Sequence, residues 1–113
     1  MNLHIYKIEE DRIADRSEVY VYGAFTAAEA KDKAESIWRY LTDTERKHAS
    51  ICAQGFDLNT DLIPDTLLED LDLSRNFNPR DLSDEQLSLL LSCIDESIML
   101  PPYDIVTAIS KED

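Results

Sequence analysis

Tetrapeptides of the form Ser/Thr-x-x-Glu/Gln punctuate the chain, among them the three boxes TAAE at 26–29, TDTE at 42–45 and SDEQ at 83–86. In such a capping box the first hydroxyl accepts the backbone N–H three residues on, while the acid or amide there reaches back to the first N–H. Each box therefore marks where a helix begins. Behind TAAE, Ala30, Ala34, Ile37, Trp38 and Leu41 recur as one continuous stripe while Lys31, Asp32, Lys33, Glu35 and Arg39 face away, which predicts a helix from Thr26 through Leu41. TDTE restarts or bends it for a short turn ending near Ala49. Behind SDEQ a second stripe of Leu87, Leu90, Leu91, Ile94 and Ile98 runs to Pro101-Pro102, which ends it. Pro64 suits the first turn of a further helix reaching Asp72, because its missing N–H costs nothing there.

What lies between the boxes reads as strand. LHIYKI (3–8) and EVYVYGAF (18–25) are β-branched and aromatic runs joined by the charged EEDRIADRS, which predicts an antiparallel hairpin with a long loop and a kink near Gly23. SICAQGF (50–56) suits a third strand closed by Gly55, RNFNPR (75–80) a loop, and YDIVTAI (103–109) a final strand. The order β-β-α-(α)-β-α-α-β predicts an α+β fold over residues 1–113 as a single domain. Its small, mostly antiparallel sheet of three to four strands should carry three to four helices packed on one face.

Charge is the second constraint. Residues 1–56 carry 8 Lys or Arg against 10 Asp or Glu, a balance of −2, whereas residues 57–113 carry 3 against 14, a balance of −11. Such a field repels nucleic acid and anionic membrane surfaces and attracts basic proteins over a Debye length of roughly 8 Å. Direct nucleic-acid binding is not expected. No apolar run approaches the roughly 18 residues that cross a bilayer, and MNLHIYKIEE has no signal pattern, so the chain is expected in the cytoplasm. Cys52 and Cys93 sit in apolar surroundings without neighbouring metal ligands, and the expectation is two buried, reduced thiols.

The residues offer little to chemistry. Asp57, Asn59 and Asp61 match the first three ligand positions of an EF-hand loop, but Leu62 stands where the turn needs Gly and Leu68 where the metal needs a bidentate Glu. A start at Asp70, Asp72 and Ser74 puts Arg75 at the turn. No metal site is expected. The histidines have structural roles available, His4 alternating within the first strand and His48 in the last turn of a helix; Cys52 with His48 at i, i+4 implies no contact if Cys52 lies in a strand. Two glycines exclude a glycine-rich phosphate loop, and none of the 24 acids is distinguished as one of a catalytic pair. Neither catalytic residues nor a cofactor are expected.

The arrangement of the acids is what remains. DLNTDLIPDTLLEDLD (57–72) holds six carboxylates and no Lys or Arg. Asp57, Asp61, Asp65 and Glu69 fall at intervals of four, and on a helix Asp65, Glu69 and Asp72 share one face opposite Leu67, Leu68 and Leu71. Like charges so placed cost a few tenths of a kcal/mol each, so the row is kept against helix stability. In size, acidity and lack of catalytic residues the chain resembles phage- and mobile-element-encoded DNA mimics that block restriction or CRISPR nucleases, a resemblance of composition that rests on no motif. It implies a non-enzymatic inhibitor of a basic, nucleic-acid-binding partner such as a nuclease, contacted through Asp57, Asp61, Asp65, Glu69, Asp70 and Asp72. A different reading makes the acids a solubilising frame around an apolar contact at Phe77, flanked by Arg75 and Arg80, the cations of residues 57–110.

Overall fold

A computed structural model describes residues 2–13, 17–94 and 104–110. Strands β1 (Asn2–Ile13) and β2 (Ser17–Ala24) are followed by helices α1 (Ala27–Tyr40) and α2 (Asp43–Arg46), then by β3 (Ala49–Asn59). Helices α3 (Asp65–Asp70) and α4 (Asp84–Cys93) precede the last strand, β4 (Asp104–Ser110), and short 3-10 turns occupy Thr60–Leu62 and Pro79–Asp81. The sheet is antiparallel at every pairing, in the order β2-β1-β3-β4. The α+β class expected from the residues is the class observed.

Two of the three capping boxes close as read. Thr42 and Glu45 form a complete reciprocal box at α2, and Ser83 with Gln86 does the same at α4. At α1, Thr26 accepts the Glu29 N–H at 3.1 Å.

The layering differs from the expectation of helices on one face. Pleating sends Tyr6, Ile8 and Glu10 of β1 to one side and Leu3, Ile5 and Lys7 to the other, and the register extends both sides across the sheet. On the first side Tyr6, Ile8, Ala24, Ile51 and Ala53 pack with Ala30 and Ala34 of α1. On the second, Ile5 and Leu58 pack with Leu67 and Leu68 of α3 and Leu87, Leu90 and Leu91 of α4. Each fully buried Leu or Ile contributes about 1.5–3 kcal/mol, so both layers are held by their own apolar stripe. At Gly23 α4 approaches β2 so closely that a Cβ would lie 2.5 Å from the Leu87 side chain, which is why the residue there has none.

Three boundaries also differ. β1 runs to Ile13 instead of giving way to a loop after Ile8, because Glu10, alternating with the part-exposed Glu9 and Asp11, finds a buried, paired position. Glu10 is fully buried on the α1 side, accepting from Arg12 Nε at 2.5 Å and from the Tyr22 hydroxyl at 3.3 Å. β3 continues past Gly55 to Asn59, since Leu58 still finds a buried position on the α3–α4 side. The interval-of-four row in 57–72 is not one helix: it begins in a strand, crosses a 3-10 turn and enters a helix of six residues only at Asp65. Ile98 and the Pro101-Pro102 stop fall outside the described residues. Of the two free thiols Cys52 is half-buried and Cys93, the last residue of α4, is exposed, a correction to the expected burial.

Candidate functional site

Most cations of the first half of the chain are held by acids or carbonyls. Lys7 pairs with Glu9 at 2.9 Å, Arg12 with Glu10 and with Glu45 at 3.5 Å, and Arg46 with Asp43 at 3.7 Å. Arg46 also donates to the Trp38 carbonyl at 3.0 Å. These contacts perturb ionisation. The Glu45 carboxyl is held below the usual carboxylate range by the Thr42 backbone N–H, then by its hydroxyl and by Arg12, and hydrogen bonding to Glu10 raises Arg12. Burial and then the nearby Glu10 carboxylate push the Tyr22 phenol up.

The acids after Phe56 are placed differently. Asp57 on β3 is half-exposed and accepts from His4 Nδ1–H at 3.1 Å. Asp61 is exposed in the 3-10 turn. Asp65, the first residue of α3, pairs with Arg75, which also donates to the Thr60 carbonyl at 3.3 Å and so ties the start of α3 to the turn before it. Phe77 is half-buried against the α3–α4 core, and Arg80 lies over the Phe25 ring at 5.4 Å, so that loop turns its aromatic residue inward.

Glu69, Asp70 and Asp72 are exposed and have no ion pair among the described residues. Helix α3 ends in a Schellman turn, with Leu73 N–H bonding the Leu68 carbonyl at 2.8 Å and Asp72 N–H the Glu69 carbonyl at 3.0 Å. The pivot of such a turn needs a left-handed backbone and is usually Gly; here it is Asp72, at φ 57°. Two acids thus occupy the last turn of α3, where the helix dipole favours cations and no basic residue is present, and a third carboxylate replaces the glycine beyond it. Local stability is opposed at every one of these positions.

A side-chain bond brings this end of α3 to the start of α4: Gln86 Nε2 donates to the Leu71 carbonyl at 3.1 Å. It sets Glu69, Asp70 and Asp72 beside the first turn of α4, which carries Asp84 and Glu85 after exposed Asp81. Asp84 meets Lys33 at 3.4 Å, while Asp81 and Glu85 have no ion pair among the described residues. The two segments joined by the Gln86 bond, the α3–α4 ridge, carry five exposed carboxylates, at 69, 70, 72, 81 and 85. Asp81 and Glu85 were not among the residues singled out from the sequence, although the SDEQ box already put acids into the first helical turn. None of the described helices is long and apolar enough to cross a membrane. No protein-family model, curated protein or solved structure matches the chain.

Proposed function

We propose that this protein is a small acidic, non-enzymatic binding protein of the cytoplasm that occupies the basic, nucleic-acid-binding surface of a partner. A nuclease of the restriction or CRISPR kind is the partner class that composition suggests. The observation carrying this reading is the uncompensated ridge: carboxylates kept at the end of α3 and in its left-handed turn, where other residues would stabilise the helix more. A groove that binds nucleic acid gains affinity by exchanging condensed counterions for Lys and Arg contacts, and a fixed array of carboxylates engages the same cations. Acids that served hydration alone could be spread over the whole surface, whereas the first half of the chain is nearly balanced. Phe77, the anchor of the apolar reading, is half-buried against the α3–α4 core.

The test is affinity capture at low salt followed by elution with rising salt and, separately, with duplex DNA. The captured partner is expected to be basic, to leave steeply as salt rises and to be displaced by DNA. A partner that stays bound in high salt and ignores DNA would overturn the reading.

A further inference from the structure

At the edge strand β2 helices α1 and α4 touch through Lys33 and Asp84 and otherwise leave a cleft of about 350 Å³ between them. Asp32, Ser36 and Tyr40, at i, i+4 and i+8, line one wall from α1; Asp84 and Ser88, also four apart, line the other from α4. Tyr22 and Ile37 supply half-buried apolar surface, and the Tyr40 ring stands 89% exposed at one end. Lys33 is fixed at the opposite end, donating to the Gly23 carbonyl at 2.6 Å and to Asp84 at 3.4 Å, so its charge is offset by that acid. Asp32 is exposed and has no ion pair among the described residues.

A channel with an aromatic ring at one end and, at the other, Asp32 beside the Lys33–Asp84 pair matches one common side chain. Arginine lays an aliphatic stem along apolar surface while its guanidinium seeks carboxylate and aromatic partners. The row from Asp32 to Tyr40 spans about 12 Å at 1.5 Å per residue, enough to hold such a chain lengthwise. On the other side of Tyr40 a second hollow, of about 360 Å³, is lined by Arg39, which repels a cation and leaves the α4 side as its route. We infer that this cleft receives an arginine of the basic partner, its stem against Tyr40 and Ile37 and its guanidinium at Asp32. The inference rests on the function proposed above, whose cationic partner supplies the charge complementarity. It adds a shaped pocket, distinct from the α3–α4 ridge, that selects a particular side chain.

A hexa-arginine peptide is the probe, with uncharged, nearly isosteric hexa-citrulline as control, measured by calorimetry and by backbone amide shifts at low salt. Binding is expected to shift Ser36, Ile37, Tyr40 and Ser88, to be absent with hexa-citrulline, and to weaken about two- to five-fold in Tyr40→Ala and in Asp32→Asn, the size of a lost methylene contact of the stem or of an exposed ion pair. Both side chains are exposed, so neither change threatens the fold. If neither variant alters affinity while changing Glu69, Asp70 and Asp72 to lysine removes it, the cleft inference is overturned and the ridge reading stands. If hexa-arginine does not bind the wild-type protein at all, both are overturned.

Discussion

The sheet with α1 and α2, and the junction of α3 with α4, are built from the same residue types to opposite electrostatic ends. In the first region even a fully buried carboxylate, Glu10, has Arg12 and Tyr22 as partners, and Glu45 serves at once as capping residue and as second partner of Arg12. In the second, Glu69 and Asp70 crowd a helix C-terminus without a cation, and Asp72 holds a backbone conformation that suits glycine. Charge in one place is spent on stability and in the other is tolerated against it. Removing charge should therefore have opposite signs in the two regions.

The largest effect is expected at Arg12. Arg12→Leu leaves the Glu10 carboxylate buried without its cation and should lower unfolding stability by about 3 kcal/mol, toward the low end for a broken buried pair because Arg12 itself is partly exposed. Denaturant unfolding measures this, and replacing Glu10 and Arg12 together by Leu should recover most of the loss. A single substitution as mild as the double one would mean that the pair is not buried as described.

Across the divide, Asp72→Gly should raise stability by about 0.5–1 kcal/mol, because glycine adopts the left-handed turn without the Cβ cost. Partner binding should weaken in the same variant, which separates a role in recognition from a role in folding. Next in size, Glu69→Lys places a cation at the C-terminus of α3 and should stabilise by about 0.3–1 kcal/mol at low ionic strength, the gain shrinking with salt. Glu45→Lys, in the paired region, should do the reverse by removing a cap and an Arg12 contact. Thermal unfolding of the two lysine variants side by side checks the contrast.

The smallest effect concerns pH. Folding raises the Tyr22 phenol above its ordinary value, first by burial and then through Glu10. Its contribution is therefore fully present below the unfolded phenol value near 10 and is lost as pH rises through the folded value. Stability should fall above about pH 10, and less steeply in Tyr22→Phe, as urea unfolding between neutral and alkaline pH would report.

The helices were legible because their starts are local. The hydroxyl and the acid or amide of a capping box sit three residues apart, and two of the three boxes close fully in the structure. Strand lengths were less legible, because EEDRI reads as a solvated loop unless Glu10 is known to meet Arg12 and Tyr22 across the sheet. Leucines reveal that α3 and α4 each have a buried stripe but not which face of the sheet receives it; the bare Cα of Gly23 under Leu87 settles that. Of the candidate site, Glu69, Asp70 and Asp72 were visible as unpaired acids. Arg75 on Asp65, and the Gln86 bond that adds Asp81 and Glu85 to the ridge, depend on contacts ten to fifteen residues apart that spacing alone does not encode.

One comparison reaches the central claim most directly: partner capture by the wild-type protein and by the variant with Glu69, Asp70 and Asp72 all changed to lysine, run in parallel with a thermal unfolding scan of each. The expected result is a variant as stable as the wild type, or more so, that no longer retains the DNA-displaceable partner. A variant that folds equally well and captures the same partner with unchanged salt dependence would show that the ridge only keeps the protein hydrated.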